Sequence, residues 1–169
     1  VTVCGRFLLI FFTFRRYFKS NRHERKKRHI FSGGKKIMQL KFYYCKTCGK
    51  IISIVKDSGT PTICCGNEMQ LLVPEARTEI GEKHIPIIKV SGNLVTVTVG
   101  SKIHPSEAEH YIEWILLQTD RGIQQKYLAP GISPEIDFAV MTGERVQAAY
   151  DYCNIHKLWK SEFSSEKSA

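Results

Sequence analysis

The sequence predicts an all-β chain in which a small metal-bound unit precedes a β-sandwich. Three observations carry this expectation. Short runs between residues 94 and 152 alternate apolar and polar side chains with period two. No stretch shows a sustained apolar period of 3.6. Beyond Met38, every sulfur and imidazole ligand falls into one of two groups, Cys45, Cys48, Cys64 and Cys65, then His84, His104, His110, Cys153 and His156.

Residues 1–37 stand apart. The run Phe7 to Phe14 is apolar but far too short to span a bilayer. Its basic cluster, Arg15 to Arg28, follows the apolar run, whereas a signal peptide places basic residues first. Gly33-Gly-Lys-Lys-Ile-Met38 matches codons that can hold a purine-rich ribosome-binding sequence before a start codon. The expectation is therefore a mis-called, disordered extension with Met38 as the first residue, which sets aside Cys4, His23 and His29. A basic membrane-surface anchor is the rival reading.

Residues 38–74 form the metal unit. Phe42-Tyr-Tyr44 leads into Cys45-Lys-Thr-Cys48-Gly49, Ile51 to Val55 reads as a loose strand, and Lys56 to Pro61 as a turn. So short a segment cannot bury a core, and a metal is expected to supply its folding energy. Residues 75–163 hold the sandwich. Strands are expected at Leu94–Val99, Tyr111–Leu117, Ile136–Val140 and Val146–Tyr152. Turns are expected at Ser91–Asn93, Asp120–Gly122, Pro130-Gly131 and Thr142-Gly143. This spacing suggests a sandwich of immunoglobulin-like type. Residues 164–169 are a tail.

Charge is unevenly spread. Residues 1–37 hold eleven of the 25 Lys and Arg and one of the 16 acids. The remainder carries fourteen bases against fifteen acids, so the net charge of +9 says nothing about it. A nucleic-acid function read from overall charge is excluded on that ground. A disulfide framework fits poorly, because adjacent Cys64 and Cys65 cannot both bridge easily to a C-x2-C pair. Metal binding in a reducing cytoplasm is the better account.

Cys45-x2-Cys48 puts two sulfurs on one tight turn, with Gly49 allowing the chain to reverse. Four thiolates suit a closed tetrahedral site for iron or zinc. Four imidazoles with one thiolate suit iron and leave one octahedral position open. The pair Cys64-Cys65 followed by Gly66 resembles the second cysteine pair of desulforedoxin, a small rubredoxin-like iron protein. The segments Glu82-Lys83-His84-Ile-Pro86, His104-Pro105 through His110 to Trp114, and Tyr152-Cys153-Asn-Ile-His156 resemble desulfoferrodoxin, the two-iron superoxide reductase. The resemblance spans residues 39–162.

That resemblance implies two Fe ions per chain, one in the Cys4 site and one in the His4Cys site. It implies His84, His104, His110 and His156 in a plane around the second iron, Cys153 as the axial thiolate and an open position opposite the sulfur. Glu82 would close that position when the iron is ferric. Lys83 would draw in the superoxide anion and help deliver a proton. Amides of Ile155 and His156 would temper the sulfur. The implied reaction is one-electron reduction of superoxide to hydrogen peroxide in the cytoplasm of an anaerobe or microaerophile. Rubredoxin would donate the electron to a homodimer, with no nucleic acid or membrane as partner. Two other classes stay open on the residues alone. One is a non-catalytic electron-transfer or redox-sensing protein, which an open coordination position disfavours. The other is a zinc-ribbon binding module, which few aromatics among the basic residues near Cys45–Cys65 disfavour.

Overall fold

The computed structural model describes residues 39–75 and 80–164. The expected extension at 1–37 lies outside the described residues, as does the tail from 165 onward.

The first unit is built from turns. Strand β1 (Phe42–Tyr44) pairs antiparallel with β2 (Ile51–Ser53) across the turn that carries Cys45 and Cys48. That turn closes when Cys45 N–H donates to the Lys50 carbonyl at 2.9 Å and Gly49 N–H to the Cys45 carbonyl at 2.9 Å. Strands β3 (Ile63–Cys64) and β4 (Asn67–Glu68) form a minimal hairpin. Its two loop residues, Cys65 and Gly66, have φ of 51° and 78°. Positive φ at both positions marks the tight hairpin turn whose twist matches its strands. Strand β5 (Gln70–Leu72) returns to the other side of β1, giving the order β2-β1-β5.

A single helical turn, α1 (Gly81–His84), opens the second unit. Seven strands follow: β6 (Pro86–Ser91), β7 (Leu94–Val99), β8 (Ile112–Thr119), β9 (Ile123–Tyr127), β10 (Glu135–Ala139), β11 (Val146–Cys153) and β12 (Lys157–Glu162). They make two antiparallel sheets, ordered β10-β7-β6 and β12-β11-β8-β9. Hairpins stay within a sheet, whereas the links from β7 to β8, β9 to β10 and β10 to β11 change sheets. This is a seven-stranded sandwich with the cross-over pattern of immunoglobulin-like domains. The expected strands at 94–99, 111–117, 136–140 and 146–152 all appear. Strands β1, β3, β4, β5, β6, β9 and β12 had no sequence expectation.

Between the sheets, Val95, Val97 and Val99 of β7 pack with Phe138 of β10, Ile115 and Leu117 of β8, and Ala149 and Cys153 of β11. A second cluster lies on the outer face of the four-stranded sheet. There Trp114, Leu116, Tyr150, Tyr152 and Leu158 meet Phe42 of β1, flanked by Leu40, Ile51 and Leu72. The first unit therefore folds against a core it shares with the sandwich, and metal is not its sole support. Phe42 is central, with ring centroids 5.5 Å from Trp114 and 5.8 Å from Tyr150. Burying such a ring stabilises by roughly 1.5–3 kcal/mol. Among the described residues no helix is long and apolar enough to cross a membrane.

Candidate metal centres

Both predicted ligand sets come together, and within each the ligand atoms lie within 4.8 Å of one another. In the first set, Cys48 Sγ is 3.7 Å from Cys64 Sγ, and Cys64 Sγ is 3.9 Å from Cys65 Sγ. A tetrahedral ion with bonds of about 2.3 Å spaces its sulfurs about 3.8 Å apart. The group thus fits one four-coordinate iron or zinc ion. The adjacency of Cys64 and Cys65 is accommodated by the hairpin, which places one at the end of β3 and the other in the left-handed turn. Cys45 is buried, while Cys48 and Cys65 are exposed. The Cys48 amide, more than any other group, pulls the Cys45 thiol down to about 6. Hydrogen bonding with Cys45 raises Cys64, and hydrogen bonding with Cys48 pushes Cys65 up to about 12. The first thiolate forms readily and its neighbours then keep their protons, until a cation displaces them.

The second set draws on four places in the fold. α1 carries His84, the loop after β7 carries His104 and His110, the end of β11 carries Cys153, and the β11–β12 turn carries His156. His84 Nε2 lies 2.9 Å from His156 Nδ1 and 3.1 Å from His104 Nε2, and His110 Nε2 lies 3.2 Å from His156 Nδ1. Neighbouring rings stand nearly perpendicular, 77–79° for three pairs and 66° for His110 with His156. The diagonal pair His84 and His110 is 6.1 Å apart and tilted by only 30°. Four nitrogens in a square with bonds of about 2.1 Å sit about 3.0 Å apart, against about 3.4 Å in a tetrahedron. The observed edges match the square.

Tautomers sharpen this. His84 Nδ1–H donates to the Ile80 carbonyl at 2.8 Å, and His104 Nδ1–H to the Pro105 carbonyl at 2.6 Å. Their Nε2 atoms then face each other as bare lone pairs at 3.1 Å, a repulsive arrangement unless a cation lies between them. Burial lowers His84 and His110 and pulls His104 down to about 4, so these rings are neutral and ready to bind.

Cys153 Sγ, fully buried, lies 3.6 Å from His156 Nδ1 on the core side of the square. Burial pushes its thiol up, and the His156 and Ile155 amides oppose that, as expected from sequence. Asp151, two residues earlier, is also fully buried and neither oxygen has a hydrogen-bond partner among the described residues. Burial raises it well above the carboxylate range, so it sits as the neutral acid.

Lys83 is exposed on α1, and its charge helps hold both His84 and His110 neutral. The Glu82 carboxylate is elsewhere, in an exposed ion pair of 2.6 Å with Lys102.

Three supporting residues escaped the sequence reading. Asn154 grips both sides of His110: its Nδ2 donates to the Glu109 carbonyl at 2.8 Å, and Tyr111 N–H donates to its Oδ1 at 3.0 Å. Trp159 stacks on His84 at 4.8 Å, and its Nε1–H donates to the His156 carbonyl at 3.2 Å. Lys102 holds Glu82. The Cys-Asn-Ile-His spacing could have flagged Asn154; nothing in the sequence marks the other two.

Comparison with known proteins matches the family model for desulfoferrodoxin over residues 76–162 and the model for the desulfoferrodoxin N-terminal domain over residues 38–72. A desulfoferrodoxin homolog of Archaeoglobus fulgidus is 44% identical over 125 residues, covering 74% of this chain and 97% of that protein. The desulfoferrodoxin of Nitratidesulfovibrio vulgaris is 40% identical over 124 residues, covering 73% and 97%. The crystal structure of the superoxide reductase from Treponema pallidum superposes with a TM-score of 0.62 at 34% identity, covering 73% of this chain and 98% of that one.

Proposed function

The chain belongs to the desulfoferrodoxin family, and from that premise we propose that it is a superoxide reductase with two iron ions per chain. It takes one electron and two protons to each superoxide and releases hydrogen peroxide. The observation that carries this reading is the square of four imidazoles with a buried thiol against it. Those five side chains would hold an iron ion and leave room on it for substrate. Iron bound there supplies the one-electron couple.

The residues of the chain do the rest. Cys153, as thiolate, would hold the iron and donate electron density to it, and the amides of His156 and Ile155 would moderate that donation. The Ile80 and Pro105 carbonyls fix the tautomers that aim His84 and His104. Lys83 Nζ attracts the anionic substrate and passes protons toward it through water. Glu82 would serve as a further ligand to the iron once it is oxidised. Residues 38–74 form the domain of the first iron and residues 75–163 the reductase domain. Rubredoxin or a similar small protein supplies the electron in the cytoplasm, and the chain works as a homodimer.

Mixing the anaerobically reduced, iron-loaded chain with pulse-generated superoxide tests the reading. Each superoxide consumed should give a hydrogen peroxide and no dioxygen, while sulfur-to-iron absorption rises as the histidine site is oxidised. Dioxygen release, or a histidine site that stays reduced, would overturn it.

A further inference from the structure

Two ligand segments of the histidine site are tied together by contacts that no ligand makes. Glu82 stands two residues before His84, and Lys102 two residues before His104. The loop at 100–102 closes onto α1 through its backbone. Lys102 N–H donates to the Glu82 carbonyl at 3.1 Å, Ser101 Oγ donates to the same oxygen at 3.2 Å, and Gly100 N–H donates to the Ile85 carbonyl at 3.1 Å. Gly100 has φ +85°, and a Cβ there would lie 2.5 Å from the Lys102 carbonyl oxygen and 2.7 Å from that of Lys83. No other residue could let the loop come so near. On this frame Lys102 Nζ meets Glu82 Oε2 at 2.6 Å, with the two side chains 70% and 62% exposed.

So exposed a pair adds little to stability. Its weight lies in where it leaves charge. Glu82, Lys83 and Lys102 stand beside the histidine ligands on α1 and the 100–102 loop, and Glu107 also acts on His110. With Glu82 matched to Lys102, Lys83 has no ion-pair partner among the described residues. Without Lys102, the Glu82 carboxylate would cancel the Lys83 field and be free to swing toward the metal.

We propose that Lys102 is a positioning residue for the histidine site: it parks the Glu82 carboxylate on the outer rim and masks its charge, leaving Lys83 as the net cation that an incoming anion meets. This rests on reading the site as an anion-reducing iron centre. The test uses the reduced, iron-loaded full chain, in which Glu82 stays off the metal, and azide as the probe anion, with binding read from the near-infrared magnetic circular dichroism of the ferrous site. Lys102→Met should weaken azide binding roughly five-fold, the scale of one exposed charge at contact distance. Lys102→Arg should bind as the unaltered chain does, and Lys102→Met with Glu82→Gln should recover the loss. Unchanged affinity in Lys102→Met, or a double variant as weak as the single one, overturns the proposal. So does a Lys102→Met protein that sheds its iron, because the pair would then be a strut. Since azide binding needs no superoxide, a chain that shows this pattern yet fails to reduce superoxide would sink the function and spare the role of Lys102.

Discussion

The two metal groups are built by opposite means. In the first unit all four ligands come from two tight turns within residues 45–65, and two of them, Cys48 and Cys65, face solvent. In the sandwich the ligands span residues 84–156 and meet only because two sheets have folded; His84, His104 and Cys153 are buried there. In the turn-built site Cys45 ionises readily, while Cys64 and Cys65 keep their protons until a metal arrives. In the sheet-built site burial favours the neutral imidazoles of His84, His104 and His110. Local geometry fixes the first, and the hydrophobic core fixes the second.

The sharpest way to break this contrast is Cys153→Ser. It should abolish turnover and the sulfur-to-iron absorption while the Cys4 group keeps its metal. A spectrum that retained the absorption would show that the five ligands are misassigned. Cys65→Ser should do the reverse, releasing the first metal and leaving the superoxide rate within about two-fold, because the sandwich carries its own core. Complete loss of activity with the histidine site still loaded would contradict that separation. Phe42→Ala probes the shared core and should cost about 3–5 kcal/mol by denaturant titration, with exchange protection lost first around β1. An unaltered midpoint would mean the first unit stands alone. The smallest effect concerns pH. Between about pH 6 and about pH 9, zinc affinity of the Cys4 group should climb steeply, since Cys64 and Cys65 must shed protons. Affinity at the histidine site should climb less, because burial already favours the unprotonated forms of His84, His104 and His110 while Cys153 must still shed its proton. Chelator competition at both ends of the range measures each slope.

Ligand identity was legible because thiols and imidazoles are scarce and each had a place in a group. Strand β7 was legible because Leu94–Val99 alternates cleanly, with Val95, Val97 and Val99 inward. β9 was not, because Ile123–Tyr127 lies at a sheet edge with no residue fully buried, so burial imposes no alternation. β12 was hidden for the opposite reason: Leu158 and Trp159 are both buried, on opposite faces, and neighbours in sequence then read as a short apolar run. The docking of the first unit had a trace, unread, in β8. Trp114-Ile-Leu-Leu117 is apolar at every position, which a strand needs only when both faces are covered. The placement of Glu82 against Lys102 depends on a loop closure that no local pattern encodes.

Strand β11 bears on how such a chain can change over time. Its pleat sends Ala149 and Cys153 toward one core and Ala148, Tyr150 and Tyr152 toward the other. One phase of one strand therefore aims the sulfur and seats the neighbouring unit. An insertion of one residue between Ala148 and Cys153 would exchange the two faces, putting the thiol against Phe42 and a tyrosine where the thiol belongs. The two halves are coupled across that strand: lengthening must come in pairs of residues, at the turns beyond its ends, or at the register shifts already present between Val146 and Ala148 and between Tyr152 and Cys153.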